Sequence, residues 1–495
     1  MTKFFQFATL FYIVIVASNH TSTAQAPSVI ANKDFRLRKS LQVQGDFTFI
    51  ANNSISINGP RRGTTTPVFL PKDDFNFPDS NSNIRVDYID IDNDEGTFSS
   101  SAASFEVEGI DYPKILYAGL YWSGTYRLKH PNDPERPDND GNNYPILDPR
   151  IGEGPEGDFR KIKFKTPGGN YQDIVAGETT DTEVIYNGYR NTADNPSNTV
   201  VKDVPYVCYA DVTQLVNEEN QTSGEYTVAN VKAFTGDTDG SGSTAGWILV
   251  IAFENPSSSI KEIFSYDGYF LIRSRTPPVT YRLNNFVSPP SGPLLIRYGT
   301  GALEGESGLV GDRLDIKGTS TPAIGPNQGF TTLTNSSSSQ DNFFDSSISI
   351  DGANIITRRP ASQNTLGFDA DLITVPPGAI PNSETGIDIR LSTRADGFAQ
   401  FLNVFSVGKG STLSVPVHSF DSTRNDDIRV FPNPTQKNLT FSQSVVDYSL
   451  YTIHGKKVLT GRGQEADLSQ LPSQLYILEL SLNNDEKIRF KILKK

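Results

Sequence analysis

The most apolar stretch of the chain predicts the centre of a β-sheet. Every residue of Trp247–Phe253 is apolar, so alternate side chains point to opposite faces, as in a strand that is covered on both sides. β-Branched and aromatic residues dominate this stretch, and Gly246 and Pro256 flank it as breakers. We predict that it forms a hairpin with Tyr226–Phe234 across the polar loop Asp237–Thr244.

Several other segments show the periodicity of a β-strand, and one segment shows that of a helix. Lys114–Trp122 is also apolar on both faces and predicts a second central strand. Lys161–Lys165 alternates cleanly before the turn Pro167–Gly169, which predicts a hairpin, and Ile387–Thr393 predicts a half-exposed strand. We predict one short connecting helix at Asp211–Glu219, because its apolar residues fall on one face.

Breaks in these patterns divide the chain into regions. Residues 128–160 are dense in Pro, Asn, Asp and Gly and predict a long surface insertion within a main region at 27–417. The polar residues 418–427 predict a linker, and residues 428–495 predict a small separate β domain. Its predicted strands are Leu439–Phe441, Tyr448–Ile453, Lys456–Leu459, Tyr476–Leu480 and Lys487–Leu493.

The composition supports an all-β fold class. With 40 Gly, 31 Pro, 20 Tyr and 30 Phe in 495 residues, the chain suits many short strands joined by turns. We predict a large antiparallel β-sandwich, jelly-roll-like, followed by a small immunoglobulin-like β-sandwich. The net charge of −13 argues against nucleic acid as a partner, since phosphate binding needs clusters of Lys and Arg. The one cysteine, Cys208, excludes an internal disulfide and lies in an apolar strand, so we expect a buried, inert thiol.

The first residues have the pattern of a secretory signal peptide. Lys3 precedes the apolar run Phe4–Ala17, which is too short for a membrane span, and small residues follow it. Cleavage after Ala24 or after Ala26 satisfies the small-x-small rule; we prefer Ala24 and assign the signal peptide to residues 1–24. No later stretch could cross a bilayer as a helix, so we predict no transmembrane helix in the mature chain.

Several short motifs of the last region carry a family resemblance. They are Val430–Thr435, Tyr451–Val458 and Leu468–Pro472, followed by Tyr476 and a final strand rich in lysine. Together they resemble the type A C-terminal sorting domain of cargo of the type IX secretion system of Bacteroidota. The one departure is Ser473–Leu475, where the family usually has a glycine before the tyrosine. The resemblance implies that residues 428–495 contact the type IX machinery and that the protein is extracellular or on the outer cell surface.

The main region carries a second resemblance, over about residues 40–410. It is similar to the β-rich modules of bacterial surface adhesin-like proteins, which are known as a fold and a context, with no reaction assigned. The stretches that carry this resemblance are Leu116–Gly124, Cys208–Val216, Gly224–Val231, Ala245–Ile251 and Gly367–Leu372.

The turn after one predicted strand is a candidate calcium site. Asp90, Asp92 and Asp94 place three carboxylates at alternate positions, where their oxygens could converge on one hard cation. It is not the helical calcium loop, whose sixth position is glycine, because that position here is Glu95. The alternative is a solvated strand end and turn without metal.

A weaker calcium candidate lies in the loop before Trp247. Asp237, Asp239 and Ser241 have suitable spacing, and Gly242 occupies the sixth position. The twelfth position is Ile248, where a bidentate glutamate would be needed. The alternative is a flexible loop.

Catalytic motifs find little support in the sequence. After signal removal the histidines are His130, His418 and His454, which fall in the insertion, the linker and the sorting tail, so neither a catalytic triad nor a zinc site is expected. A glycosidase needs only two carboxylates at the right separation. Candidate members of such a pair are Glu254, Glu304, Asp267 and Asp312.

These observations lead to one predicted function and two alternatives. We predict a secreted or cell-surface adhesin-like binding or structural protein without catalytic activity. Its expected partner is a cell-surface polysaccharide or another surface protein. The first alternative is a lectin-like carbohydrate-binding protein, for which Tyr186 and Tyr189 could stack on sugars, and the second is a secreted polysaccharide-degrading hydrolase.

Overall fold

The structure divides the chain into two compact units, Met1–Gly408 and Lys409–Lys495. It is a computed structural model, and each unit is considered by itself. The residues that it describes are 32–57, 81, 84–92, 94–126, 158–188, 204–218, 221–238, 242–334, 341–395, 397–409, 430–452, 456–481 and 487–495. The predicted signal peptide 1–24 and linker 418–427 lie outside this part of the chain.

The described residues form 28 strands and one short helix, so the predicted all-β fold class is confirmed. In chain order these elements are β1 (Lys33–Asn53), β2 (Ile55–Ile57), β3 (Arg85–Tyr88), β4 (Ser100–Phe105), β5 (Ile115–Tyr126), β6 (Lys161–Lys165), β7 (Gln172–Val175), β8 (Thr182–Asn187), β9 (Val204–Asp211), α1 (Thr213–Glu218), β10 (Gly224–Ala229), β11 (Gly236–Asp237), β12 (Ala245–Glu254), β13 (Ile260–Ile272), β14 (Val279–Asn284), β15 (Leu294–Leu303), β16 (Arg313–Gly318), β17 (Thr331–Thr332), β18 (Ile348–Ile350), β19 (Ala353–Asn354), β20 (Arg358–Arg359), β21 (Phe368–Thr374), β22 (Gly386–Ser392), β23 (Phe398–Lys409), β24 (Val430–Phe431), β25 (Asn438–Thr452), β26 (Lys457–Asp467), β27 (Leu475–Ser481) and β28 (Lys487–Leu493).

The widest sheet contains eleven of these strands, in the order β19-β18-β21-β15-β23-β13-β1-β12-β5-β9-β8. β12 lies between β1 and β5, which confirms Trp247–Phe253 and Lys114–Trp122 as central strands. β1 changes partner along its length, because Lys33–Gln44 pair with β13 and Gly45–Asn53 pair with β12. The two faces of β12 enter different cores, with Trp247, Leu249 and Ile251 on one side and Ile248, Val250 and Ala252 on the other.

The wide sheet curls so that one of its faces packs against itself. Tyr186 of β8 stacks on Tyr269 of β13 with a centroid distance of 3.7 Å, although four strands lie between β13 and β8 in the sheet order. The core inside the curl holds Ile248 together with Phe401 from β23. Gly301 of β15 allows this close packing, since a Cβ there would come within 2.5 Å of Ile248 Cδ1.

The opposite face of the wide sheet is covered by smaller sheets. One has the order β20-β4-β10-β6-β7 and another the order β14-β22-β16-β17. The first shares a core with Trp122 and Trp247, and the second contributes Ile316 and Ile389 to a core with Phe405. A third sheet, β11-β3-β2, contributes Ile55 and Val86 to the same core as the first. This packing agrees with the predicted sandwich-like fold.

The predicted hairpin between Tyr226–Phe234 and the Trp247 strand is wrong. β10 pairs with β4 and β6 in a different sheet, and its Tyr226 and Val228 pack against β12 face to face. The Trp247 indole N–H donates to Ser101 Oγ of β4 at 2.9 Å across the two sheets. Because β12 is apolar on both faces, it needs covering layers as well as neighbours, and β10 provides one of those layers.

Three local predictions for the large unit are confirmed, and a fourth is confirmed only in part. β6 and β7 pair as an antiparallel hairpin. The strand predicted at Ile387–Thr393 is present as β22 and buries Ile389, but its other face is not exposed as predicted, because Asp388 is buried and Arg390 is partly buried. The predicted helix is α1, and Asp211 Oδ1 caps it by accepting a hydrogen bond from the Thr213 N–H at 3.0 Å. Cys208 is fully buried, and burial raises the pKa of its thiol well above the ordinary value.

The small unit is a β domain with its own core. Its strands form the order β24-β25-β27-β28, with β26 paired to β25. β25 is continuous from Asn438 to Thr452, where the sequence predicts two separate strands, and its pairing with β26 contains register shifts. These shifts let one long strand bend around a core that contains Leu450, Tyr476 and Ile492. Across the described residues of both units, no helix is long and apolar enough to span a membrane.

Candidate functional site

The predicted calcium turn is stabilised by its own side chains. Asp90 is buried and accepts a hydrogen bond from Ser100 Oγ at 2.9 Å. Asp94 is exposed, and its Oδ1 accepts from the Gly96 N–H at 2.7 Å. These two carboxylates therefore have separate structural partners at the two ends of the turn.

Asp92, the middle carboxylate, joins the turn to a second segment of the chain. Its Oδ1 accepts hydrogen bonds from Thr97 Oγ1 at 3.0 Å and from the Asp94 N–H at 3.1 Å. Its other oxygen accepts from the Tyr171 hydroxyl, and burial together with the charge of Asp92 raises the pKa of Tyr171. Among the described residues no group of three Asp, Glu, His or Cys side chains has the geometry to hold a metal by itself. Calcium bound by Asp90, Asp92 and Asp94 stays a prediction.

The weaker calcium candidate is only partly within the described chain. Asp237 ends the short strand β11, which pairs with β3, while Asp239 and Ser241 lie outside the described residues. Gly242 has φ 73°, and a Cβ there would clash with the Asn81 side chain, so glycine is needed at this point of the loop. Calcium at this loop also stays a prediction.

A network of charged side chains on the wide sheet was not predicted. Asp267 of β13 is fully buried and pairs with Arg36 and Arg38 of β1. Arg38 also donates to Glu183 Oε2 at 2.9 Å and lies over the Tyr209 ring at 4.3 Å. Burial lowers the pKa of Arg38, but hydrogen bonds to Asp267 and Glu183 outweigh this effect and raise it. The network holds β1, β8 and β13 together.

This network also bears on the predicted glycosidase candidates. In the strand register, Glu254 lies opposite Gly45 of β1 and Asp267 lies opposite Arg36. The two acids are therefore nine residues apart along β1. At about 3.3 Å per residue this separation is roughly 30 Å, well beyond the span of a glycosidase carboxylate pair. Glu254 forms an exposed ion pair with Lys114 at 2.7 Å, so it acts as a surface residue here.

Three buried carboxylates on β21 and in a nearby loop were missed, and a fourth, Asp312, was named only as a candidate glycosidase acid. Asp369 and Asp371 alternate along β21 and are fully buried, and Asp312 and Asp345 are buried in loops. Burial raises the pKa of Asp369 well above its ordinary value, and the charges of Asp345 and Asp371 add to the rise. The sequence signal was an Asp-x-Asp pair inside Gly367–Leu372, a stretch that was singled out only for its resemblance.

Of the two tyrosines proposed to stack on sugars, Tyr186 is described by the structure and is buried. Tyr186 is only 5% exposed because it is stacked on Tyr269. Its role is packing of the curled sheet, and Tyr189 lies outside the described residues.

The motifs of the small unit converge on its last strand. The Asn433 side chain donates to the Lys491 carbonyl at 2.6 Å, and its Oδ1 accepts from the Leu493 N–H at 2.9 Å. The Thr435 N–H donates to the Leu493 carbonyl at 2.9 Å. The Val430–Thr435 motif thus covers the outer edge of β28, which would otherwise expose backbone groups.

The Leu468–Pro472 motif of the small unit positions the strand that follows it. The Tyr476 hydroxyl donates to the Pro472 carbonyl at 2.8 Å, and its ring is fully buried in the core of this unit. Leu468 packs in the same core. The stretch Leu468–Pro472 therefore positions β27 through one buried tyrosine.

Comparison with known proteins agrees with this geometry. Residues 429–495 match the family described as secretion system C-terminal sorting domain. No curated protein matches the chain. The matched residues coincide with the small β domain and with the motifs that hold its last two strands. The protein therefore carries a C-terminal sorting domain of the type IX secretion system and is a cargo of that system, secreted to the cell surface or the extracellular space.

Proposed function

We propose that the large unit is a non-catalytic, adhesin-like module that binds a cell-surface polysaccharide or another surface protein after export. The observation that carries this proposal is the convergence of several strand ends at one end of the wide sheet. A rigid β scaffold that supports variable loops at one end is a common way to build a binding surface.

Three neighbouring strands bring their ends together there. Tyr126 at the end of β5 pairs with Val204 at the start of β9, and Asn187 at the end of β8 pairs with Tyr206. The start of β12 joins them, because the Thr125 N–H donates to the Thr244 carbonyl at 2.8 Å. The residues that flank the polar segments 127–157, 189–203 and 239–241 are therefore close in space.

A fourth segment is flanked by the same region. Asn81, which follows residues 58–80, donates from its side chain to the Ser243 carbonyl at 3.3 Å and accepts from Thr238 Oγ1 at 3.0 Å. The segments between these strand ends are rich in Asn, Asp, Pro and Gly. Such side chains offer hydrogen-bond donors and acceptors, which suit the hydroxyl groups of a polysaccharide or the polar rim of a protein partner.

The interior of the unit supports a scaffold role. Both tryptophan N–H groups are satisfied by structural partners, Trp122 at the Phe159 carbonyl and Trp247 at Ser101. The buried Asp267 is paired with arginines. These groups hold the sheets together, so we propose that surface residues make the contacts with a partner.

The experiment is binding and turnover by the mature secreted protein. Purified protein is applied to arrays of bacterial polysaccharides and to intact cells, and the same samples are assayed for new reducing ends. We expect saturable binding without product. In a second protein, residues 130–143 are replaced by serine, which we expect to weaken binding at least tenfold.

A matched control lies at the opposite end of the same strands. Lys114→Ser with Glu254→Ser removes an exposed ion pair there and is expected to leave binding unchanged. Equal loss of binding in this control would contradict the proposed surface. Release of reducing ends from any polysaccharide would replace the adhesin-like role with hydrolysis.

A further inference from the structure

Two loops of the large unit meet beside β21. One joins β15 to β16 and contains Asp312, and the other leads into β18 and contains Asn342. Asp312 and Asn342 form a parallel bridge, and the Phe343 N–H donates to the Asp312 carbonyl at 3.0 Å. The two loops are thus fixed to each other by their backbones.

Asp369 of β21 points from the sheet into this pair of loops. Its Oδ1 accepts a hydrogen bond from the Ser347 N–H at 3.1 Å, while its Oδ2 is buried without a hydrogen-bond partner. Gly305 faces Oδ2, and a Cβ at that position would collide with it. The chain therefore leaves room around a carboxylate oxygen to which no protein group donates.

A second buried acceptor lies in the same loops. The Asn342 side chain donates to the carbonyls of Glu306 at 3.2 Å and Ser307 at 3.1 Å, and this fixes its orientation. Its Oδ1 is then buried without a donor. Leaving such an acceptor without a partner costs about 1–3 kcal/mol, and an anionic one costs more.

Several acidic side chains lie close to Asp369. Burial and the charges of Asp345, Asp371 and Asp312 raise the pKa of Asp369. Burial also raises the pKa of Asp312 to about 7. The charge of Glu306 adds to this rise, and a hydrogen bond from Thr393 partly opposes it. The acids around Asp369 therefore repel one another when they are charged.

We propose that Asp369, Asp312 and Asn342, together with neighbouring backbone carbonyls and water, form a structural calcium site, called here the β21 site. Calcium takes six to eight oxygen ligands and accepts carboxylates, asparagine oxygens, backbone carbonyls and water in flexible geometry. Among the described residues no group of three Asp, Glu, His or Cys side chains could hold a metal, so this site uses two carboxylates, and neutral oxygens such as Asn342 Oδ1 complete the shell. The ion supplies the positive charge that Asp369 Oδ2 faces.

The β21 site differs from the turn at Asp90–Asp94 in burial, because Asp90 is the only buried carboxylate of that turn. In that turn Asp92 and Asp94 are exposed or half-buried and accept hydrogen bonds from Thr97, Tyr171 and Gly96. At the β21 site Asp369 is fully buried, and one of its oxygens has no donor. Bound calcium would therefore offset a larger cost of burying unpaired oxygens at the β21 site.

The test uses the full mature protein and calcium chloride alone. Titration calorimetry is expected to give saturable binding, and scanning calorimetry is expected to give a higher melting temperature in calcium than in chelator. Asp369→Asn and Asn342→Ala are each expected to weaken calcium binding at least tenfold and to remove most of the difference in melting temperature. The control Asp92→Asn, in the other acidic turn, is expected to keep both responses of the wild type.

Two other results would overturn the proposed calcium site. If the buried acids carry protons in place of a cation, calcium gives no heat, chelator has no effect, and Asp369→Asn melts at or above the wild-type temperature. That outcome overturns the proposal. Loss of the calcium response in Asp92→Asn but not in Asp369→Asn assigns the ion to the other turn and also overturns it. Should Asp369→Asn fail to fold, Asn342→Ala decides, because it leaves every charge in place.

Discussion

The backbone N–H of Leu493 donates its hydrogen bond to the side chain of Asn433, at 2.9 Å from Oδ1. The same side chain donates to the carbonyl of Lys491, so one amide group replaces a neighbouring strand along the edge of β28. An edge strand without such a cover is a template for pairing with other chains. The Val430–Thr435 motif therefore has a physical role in covering the open edge of the sorting domain.

Asn433→Ala is expected to loosen the last strand. Loss of two partly exposed hydrogen bonds should lower local stability by about 1 kcal/mol, which corresponds to roughly fivefold faster hydrogen exchange at the Leu493 amide. The control is Asn438→Ala, which removes another exposed asparagine side chain of the same unit. Equal exchange rates at Leu493 in the two variants would show that Asn433 does not hold the edge.

Asp267→Asn is expected to destabilise the large unit strongly. The change leaves Arg36 and Arg38 without their buried partner, and breaking a buried ion pair typically costs about 3–5 kcal/mol. Glu254→Gln breaks the exposed pair with Lys114 and should cost about 0–1 kcal/mol. Urea unfolding followed by tryptophan fluorescence measures both, since Trp122 and Trp247 lie in the core of this unit. Similar midpoints for the two variants would refute a structural role for the network.

Cys208 is expected to resist alkylation in the native protein. Its thiol is fully buried and burial raises its pKa, so the reactive thiolate is scarce even at mildly alkaline pH. Iodoacetamide at pH 8 should label the protein only as fast as it unfolds, and full labelling should appear in denaturant. Rapid labelling of the folded protein would contradict the burial of this strand.

Tyr171→Phe is expected to weaken the turn at Asp90–Asp94. The Tyr171 hydroxyl donates to the Asp92 carboxylate, and losing a hydrogen bond to a charged group should cost about 1.5–3 kcal/mol. Tyr112→Phe, at a tyrosine that is 61% exposed, is the matched control and should be neutral. The loss should be the same in calcium and in chelator. A loss that appears only in calcium would move Tyr171 into the support of a metal site.

The strands were predictable where burial alone determines the pattern. Trp247–Phe253 is apolar at every position, and the structure covers both of its faces. Its sheet neighbours were not predictable from local sequence. The nearest apolar stretch, at Tyr226, packs face to face, while the hydrogen-bonded neighbours come from Gly45–Asn53 and Ile115–Gly124. Strand pairing depends on which distant segments share the layer, and periodicity carries no information about that choice.

The buried acids were missed for a related reason. In Phe368–Thr374 the alternation of aspartate with apolar residues is the ordinary pattern of a strand with one wet face. The structure buries Asp369 and Asp371 because the loops that contain Asp312 and Asn342 fold over that face. Periodicity tells which side chains share a face, but it cannot tell whether a loop from elsewhere in the chain covers that face.

The change of partner along β1 has a consequence for how the protein is made. Its neighbours, β12 and β13, follow it by roughly two hundred residues, as in the pairing of Gly45 with Glu254. A ribosome releases β1 long before either neighbour exists, so the middle of the sheet cannot assemble during early synthesis. We expect the nascent chain to lack this central sheet until residue 272 has emerged, which favours passage through a membrane before the sheet closes.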